Sequence, residues 1–374
     1  MVRFDVKASS GRYPVIIESG CCRHLVEIIQ TVIPIKKTVV ITDENVASLY
    51  ESRIDSLFDE AGINVDWIVI PPGEESKSLD NYRLIIEELL KYNFSKDGTI
   101  IAFGGGVVLD LAGFAAATFM RGVKWISIPT SLLAMADASI GGKTSIHSSG
   151  VKNAIGAFHQ PCMVIIDPEF LKTLSKRDFN SGLAEIMKMA ILPGGENFSI
   201  WQGDILDLFL KNDHDITEII IGESCGLKAS VIERDEFDQA GRIILNLGHT
   251  LGHAIESAGH LERYSHGEAV CIGVLFISDF SHKKGDLSRE AFEKIKTLFK
   301  TASQTISELD LDWEILHDFI LHDKKRKDDV FRWVYPIDIG KVAIKELKEP
   351  ELRECWNEFR EHFELRIKGD SDSG

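Results

Sequence analysis

Between residues 38 and 166, short β-branched runs alternate with segments of helical apolar period, and this rhythm constrains the fold more than any other feature of the chain. Thr38-Val39-Val40-Ile41-Thr42 ends at Asp43, and a helical period follows over 46–61 until Gly62 stops it. Val65 to Ile70 closes at Pro71-Pro72-Gly73 and gives way to a helix from about Leu79 to Tyr92. Thr99 to Gly104, Trp125 to Ile128 and Met163 to Ile166 continue the series, and Tyr13 to Glu18 adds a strand ahead of it. Such alternation predicts an α/β domain with a largely parallel sheet.

From Phe170 onward strand-like runs largely vanish. Helical periods are expected over 181–191, 205–210, 216–234, 247–257, 267–283, 288–301 and 312–321, with a short hairpin over 330–336 and 341–344. The composition shift puts the domain boundary near residues 171–180, giving an α/β domain over 1–172 and a helical domain over 173–374. A chain of 374 residues is long enough for two such cores. Its last residues, KGDSDSG, are polar and expected to be disordered.

The formal charge of −16 argues against a nucleic-acid backbone or an anionic membrane as a general partner, so any anionic substrate must meet local positive charges. Six cysteines without a C-x-x-C spacing read as thiols in a reducing compartment, which points to the cytoplasm. Neither a signal peptide nor a membrane span is expected, because no apolar core follows the first charges and no window of 18 apolar residues exists.

Chemistry-bearing types concentrate in a few places. His249 and His253 lie four apart in GRIILNLGHTLGHAIE, on one helix face, and His266 follows in Ser-His-Gly-Glu at the head of the next helix. That spacing suits a metal site, although nothing within the stretch identifies a carboxylate or thiolate ligand. Gly104, Gly105 and Gly106 stand between a buried strand and a helix, as a phosphate-binding turn or a purely structural one would. Gly141-Gly142-Lys143-Thr144 lacks the glycine that a Walker loop needs, yet two lysines, Lys143 and Lys152, with Asn153 in an acidic chain suggest an anion site. Glu185 and Lys188 lie three apart in an apolar helix, where charge is costly unless paired or bound to metal. Lys228 is set in a similar helix, and Asp323 to Lys327 is a basic run.

The segments GGGVVLDLAGFAAATFMRG, DASIGGKTSIHSSGVKNAIGAFHQP, GLAEIMKMAI, GRIILNLGHTLGHAIE and SHGEAV occur in the order and spacing of 3-dehydroquinate synthase, a sugar-phosphate cyclase, and the chain resembles that family from about residue 36 to 340. The resemblance implies a Rossmann-like NAD-binding α/β domain followed by a mostly α-helical domain that binds metal and substrate. Glu185, His249 and His266 would be the ligands of Zn2+ or Co2+. Asp43, Gly73, Glu74 and Lys77 would line NAD, with Gly104, Gly105, Gly106 and Val107 against its pyrophosphate. Asp110, Thr130 and Ser131 would complete the cofactor site. Asp137, Lys143, Lys188 and His253 match catalytic positions. Lys152, Asn153, Lys228, Arg242, Asn246, Lys324 and Lys325 match substrate-binding ones. Arg121 would reach the phosphate of a neighbouring subunit in a homodimer.

The implied reaction converts 3-deoxy-D-arabino-heptulosonate 7-phosphate to 3-dehydroquinate and phosphate by transient oxidation, elimination, reduction and an internal aldol step. Two departures stand out. His147-Ser-Ser-Gly-Val replaces the family's common Asn-His-Pro-Leu-Gly, and Met189-Ala190 replaces a common Tyr-Gly, which leans toward sister cyclases acting on sedoheptulose 7-phosphate. Lys228, Arg242 and Asn246 lean back toward the carboxylate-bearing sugar. A polyol dehydrogenase is the further alternative, but a neutral polyol would leave Lys143, Lys152 and Lys324 nothing to pair with.

Overall fold

The computed structural model describes residues 1–149, 151–239, 241–260, 263–306, 309–322 and 331–369. In chain order the elements are β1 (Val2–Ala8), β2 (Gly11–Ile17), α1 (Leu25–Gln30), β3 (Thr38–Asp43), α2 (Glu44–Glu60), β4 (Val65–Ile70), α3 (Leu79–Lys91), β5 (Thr99–Gly104), α4 (Gly106–Thr118) and β6 (Lys124–Pro129). Then come β7 (Lys143–Ser148), β8 (Val151–Phe158), β9 (Met163–Ile166), α5 (Lys176–Ile191), α6 (Ile205–Leu210), α7 (His214–Arg234), α8 (His249–Ala258) and α9 (His266–Lys283). The chain ends with α10 (Arg289–Lys300), α11 (Trp313–His322), β10 (Phe331–Asp338), β11 (Lys341–Leu347) and α12 (Glu349–Gly369). It divides into two compact units, Met1–Leu174 with Asp204–Phe237, and Ser175–Gly203 with Asp238–Gly374.

The first unit is built on a seven-stranded sheet in the order β1-β2-β9-β6-β5-β3-β4. Only β1 runs antiparallel to its neighbour, so the expected largely parallel sheet is what the strands form. Its strands read as apolar runs because both faces are covered. Helix α4 is buried along nearly its whole length and carries Val108, Leu109, Leu111 and Phe114 into the core with the strand residues Val39, Ile41, Ile100 and Ala102. The small residues of α4 permit close approach: a Cβ on Gly113 would lie 2.4 Å from Thr144 of β7.

Three features depart from the sequence expectation. Strands β7 and β8, Lys143–Ser148 and Val151–Phe158, pair antiparallel where a polar loop is expected. Thr144 and Ile146 of β7 are buried while Lys143 is exposed, a period-2 pattern obscured by the glycines and serines around it. Second, β1 and α12 are elements that the apolar pattern did not announce. Third, a single division at 172/173 does not describe the chain, since 204–237 packs with the first unit. Glu218 of α7 accepts from the Ser19 amide at 2.8 Å, Glu233 from the Lys7 amide at 3.1 Å, and Ser224 donates to the Ala136 carbonyl at 3.2 Å. These partners lie more than 80 residues away in sequence, beyond the reach of local periodicity.

The second unit is mainly helical, with β10 and β11 pairing antiparallel beside it. Helix α9 is its centre: Val270, Cys271, Ile272, Val274, Phe276 and Ile277 are all fully buried. Trp313, Trp333, Trp356 and Phe359 surround Phe276. All six cysteines are free thiols. Among the described residues no helix is long and apolar enough to cross a membrane. Of the polar tail, 370–374 lies outside the described residues, while Lys368 and Gly369 close α12.

Candidate active site

The second unit brings three distant residues together. Glu185 of α5 is 1% exposed, and its Oε1 lies 3.4 Å from His249 Nε2 and 3.2 Å from His266 Nε2. One donor atom from each of these side chains falls within 4.8 Å of the others, the spacing of a metal-binding triad. His253 is not among these donors, although its ring centroid is 5.5 Å from that of His249.

Close backbone packing makes this convergence possible. Gly267, the second residue of α9, sits so near α5 that a Cβ there would lie 2.2 Å from the Ser181 carbonyl oxygen. The Gly267 amide donates to Ser181 Oγ at 2.9 Å, one turn before Glu185, so His266 is delivered beside the carboxylate. Gly273, further along α9, would place a Cβ 2.1 Å from the Gly248 carbonyl. Gly248 itself adopts φ +77°, the left-handed turn that starts α8 and aims His249. The head of α9 is fixed by a reciprocal cap, Ser265 with Glu268, and by Arg177, whose guanidinium lies 2.9 Å from Glu268.

Outer partners orient these side chains. His249 Nδ1 lies 3.1 Å from the Leu247 carbonyl, an acceptor that fixes the proton on Nδ1 and turns the Nε2 lone pair toward Glu185. His266 Nδ1 lies 3.4 Å from the buried Glu256 carboxylate. Glu256 was not singled out from the sequence, yet it shares a helix face with His249 and His253, seven and three residues before it. Lys188 is 2% exposed, 2.5 Å from Glu185 Oε2, and donates to the Leu245 carbonyl at 2.8 Å.

Burial and the Lys188 charge push the His249 imidazole down to about 4, against the attraction of Glu185. Burial also opposes charge on His266, but hydrogen bonds to Glu185 and Glu256 outweigh it and lift that ring to about 10. Burial opposes the charge on Glu185 too, and Lys188 and the histidines hold the carboxyl well below its ordinary value. Two buried carboxylates thus gather positive charge at one point. One carboxylate oxygen and two imidazole nitrogens with oriented outer partners fit a divalent ion of the zinc or cobalt type. Arg242, 3% exposed, and Asn246 stand on the 3-10 turn Arg242–Asn246 just before α8.

In the first unit the expected cofactor residues collect at the carboxyl ends of four adjacent strands, β6, β5, β3 and β4. The chain leaves β3 for β4 on one side and returns to β5 on the other, so the order reverses between β3 and β5. Ligands of open α/β sheets bind at such a point. Asp43 ends β3 and caps α2 by accepting from the Val46 amide at 3.0 Å. Gly104 is needed for packing, since a Cβ there would meet Val108 at 2.6 Å. Gly105 and Gly106 face no such obstacle: their nearest neighbours would be Ser131 Oγ at 3.6 Å and Ala138 Cβ at 3.7 Å. Gly105 caps α4 without a side chain, which leaves the amides around Val107 open to an anion. Thr130 donates its amide to the Gly104 carbonyl at 3.0 Å, joining the ends of β5 and β6.

After β4, Gly73 takes φ +98° and the Glu74–Ser76 turn leads to the buried Lys77. Lys77 Nζ donates at 2.6 Å to both Asp110 Oδ2 of α4 and Asn153 Oδ1 of β8. Burial raises the Asp110 carboxyl above its ordinary value despite the lysine. Asp137 lies in a π-helical turn, Ala134–Ala138, where Lys228 donates to its carbonyl at 2.6 Å and its carboxylate at 2.7 Å. Gly142, with φ +62°, is the turn into β7, and its carbonyl accepts from the His159 amide at 2.8 Å, so Gly-Gly-Lys-Thr opens a hairpin. Lys143 starts that hairpin and Lys152 lies on its return strand. Arg121 is exposed, at φ +62°, and forms no ion pair among the described residues. Lys324 and Lys325 lie outside the described residues.

Residues 67–181 match the family model described as 3-dehydroquinate synthase N-terminal, and 182–326 the model described as 3-dehydroquinate synthase C-terminal. A 3-dehydroquinate synthase of Thermoanaerobacter pseudethanolicus is 38% identical over 351 residues, covering 94% of this chain and 98% of its own. Among solved structures, a 2-deoxy-scyllo-inosose synthase complexed with carbaglucose-6-phosphate, NAD+ and Co2+ superposes with a TM-score of 0.86 at 22% identity, covering 96% of this chain and all of its own. The 2-epi-5-epi-valiolone synthase of Streptomyces hygroscopicus, with NAD+ and Zn2+ bound, gives 0.85 at 22% identity, covering 94% and 97%. The two structures speak to the fold. The contiguous pair of family models and the near full-length relative speak to descent, and on their strength the chain belongs to the 3-dehydroquinate synthase family.

Proposed function

We propose that this lyase-family chain converts 3-deoxy-D-arabino-heptulosonate 7-phosphate to 3-dehydroquinate and inorganic phosphate, with NAD and a divalent ion, Zn2+ or Co2+, as its cofactors. The observation that carries the reading is the Glu185–His249–His266 triad with its oriented outer partners. The ends of β3 and β5 would hold NAD, with Gly105, Gly106 and Val107 against its pyrophosphate and Asp43, Gly73, Glu74, Lys77, Asp110, Thr130 and Ser131 around it. When bound, NAD accepts and returns a hydride, and the ion polarises the oxygens it holds.

The remaining chemistry belongs to side chains. Lys152, Asn153, Lys228, Arg242 and Asn246 would bind and orient the sugar acid. Arg242 offers a planar fork suited to a carboxylate. Lys143, Lys188, Asp137 and His253 would supply the fixed charge and proton-handling groups that elimination needs. Lys324 or Lys325 would add positive charge.

The deciding experiment measures phosphate release by the purified protein with NAD and zinc, on 3-deoxy-D-arabino-heptulosonate 7-phosphate and on sedoheptulose 7-phosphate, while following net NADH. Release from the first sugar alone, without NADH build-up, is expected. Release from the second alone would make the chain a sister cyclase, and accumulating NADH would favour a dehydrogenase.

Arg121, exposed and without an ion pair among the described residues, supports a homodimer in which it reaches the partner's phosphate. Arg121→Ala and Lys188→Ala proteins, each inactive alone, should then regain about a quarter of wild-type turnover after subunit exchange, as random pairing of two halves dictates. No recovery in verified heterodimers would place the arginine's action within its own chain.

A further inference from the structure

We propose that His147 is a positioning residue whose two ring nitrogens aim Asn153 and Glu74 at the bound ligands; this rests on the reading that those two residues serve substrate and cofactor. His147 is the fifth residue of β7, and its main-chain amide donates to the Lys77 carbonyl at 2.7 Å, tying the hairpin to the turn after β4. Its Nδ1 accepts from the Asn153 amide at 3.0 Å. A ring nitrogen that accepts an N–H carries no proton of its own, so the proton sits on Nε2, which lies 3.1 Å from Glu74 Oε1 and donates to it. One neutral imidazole therefore spans two elements, with its tautomer fixed at both ends.

What the bridge holds is unusual backbone. Asn153 takes φ +49°, the left-handed region that residues with a Cβ seldom adopt, and asparagine tolerates it best when its amides are bonded locally. With its main-chain N–H on His147, its side-chain Oδ1 accepts from Lys77 Nζ at 2.6 Å and from Ser145 Oγ at 2.9 Å. That leaves the Asn153 Nδ2 group with no partner among the described residues, on a residue exposed to solvent. The same imidazole fixes Glu74: burial works against that carboxylate, and the His147 hydrogen bond, with Lys77 and Lys152, holds it ionised. His147 thus sets the direction of the Asn153 side-chain amide and of the Glu74 carboxylate.

Stereochemistry separates the two arms. An asparagine at 147 places its amide oxygen near the His Nδ1 position and can accept from the Asn153 amide, but it does not reach Glu74. A glutamine places its amide nitrogen near the His Nε2 position and can donate to Glu74, without serving Asn153. In metal-loaded full-length protein, His147→Ala is expected to weaken NAD binding in calorimetry and raise the sugar-phosphate KM about tenfold each, the cost of one lost hydrogen bond. His147→Asn should restore the KM alone and His147→Gln the NAD affinity alone.

Hydrogen exchange over residues 151–158, measured without ligands, should speed up in the alanine and glutamine variants and stay slow in the asparagine variant. Unchanged exchange in His147→Ala, or loss of both affinities in all three variants alike, would overturn the proposal. If the exchange pattern appears but wild-type protein binds no NAD and releases no phosphate, the functional reading fails and with it the ligand-aiming role, leaving only a structural bridge.

Discussion

His249→Ala protein is expected to leave purification without its divalent ion and with kcat/KM reduced by more than about 100-fold, beyond the 10–100-fold that follows loss of an outer partner of a metal ligand. The geometry makes the expectation specific. His249 Nε2 faces Glu185 Oε1 at 3.4 Å with its other nitrogen anchored on the Leu247 carbonyl, so no neighbouring side chain can substitute without rebuilding the start of α8. His253 is the discriminating control. It lies one turn further on the same helix but outside the donor set, so His253→Ala should retain the ion while losing turnover. Elemental analysis by mass spectrometry beside steady-state kinetics reads both variants. Full metal occupancy in His249→Ala would sink the assignment, and loss of metal from both would mean that the helix, rather than one ligand, had failed.

Gly267→Ala should be nearly as damaging although it removes no chemical group. The added methyl would stand 2.2 Å from the Ser181 carbonyl oxygen and 2.3 Å from Ser181 Cα, atoms of a helix backbone that cannot rotate away. Overpacking of this kind costs about 1–3 kcal/mol and often more against backbone. Relief comes from moving α9 off α5, which withdraws His266 from Glu185. Lower thermal stability and weakened zinc affinity are expected together, by calorimetry and competition with a chelator. Gly226→Ala in α7, where a Cβ would meet nothing within 4 Å, should instead leave metal binding untouched and raise stability by about 0.5–1 kcal/mol. Equal behaviour of the two variants would show that contact between α5 and α9 is not what assembles the triad.

How much of this was legible from the residues varies with the range of the interactions. The parallel sheet followed from β-branched runs such as Thr38 to Thr42 alternating with helical periods, because burial on both faces writes itself into local composition. His249, His253 and His266 were conspicuous, but helix spacing nominated the i,i+4 pair, and only His249 of that pair joins the donor set. Glu185 stood out as a charge in an apolar helix, but its pairing with the histidines entered through the resemblance to a family, since a 64-residue separation from His249 leaves that pairing no local trace. Glu256 could have been found as an acid on the face shared by the two helical histidines. The β7–β8 hairpin and the His147 bridge were hidden, because Ser-Ser-Gly reads as loop whether or not strands pair around it.

By itself, then, the sequence determined the alternating sheet unit, the helical unit, the nearby histidines and the glycine turns, all properties set by neighbours a few residues apart. Tertiary structure alone decided that 204–237 joins the first unit, that Gly267 and Gly273 bring α9 against Ser181 and Gly248, and that Glu185 meets His249 and His266. The physical reason is one of range. Periodicity and capping are local energies that a short window records, whereas backbone contact near 2 Å and convergence of buried charge depend on which surfaces meet in the folded chain.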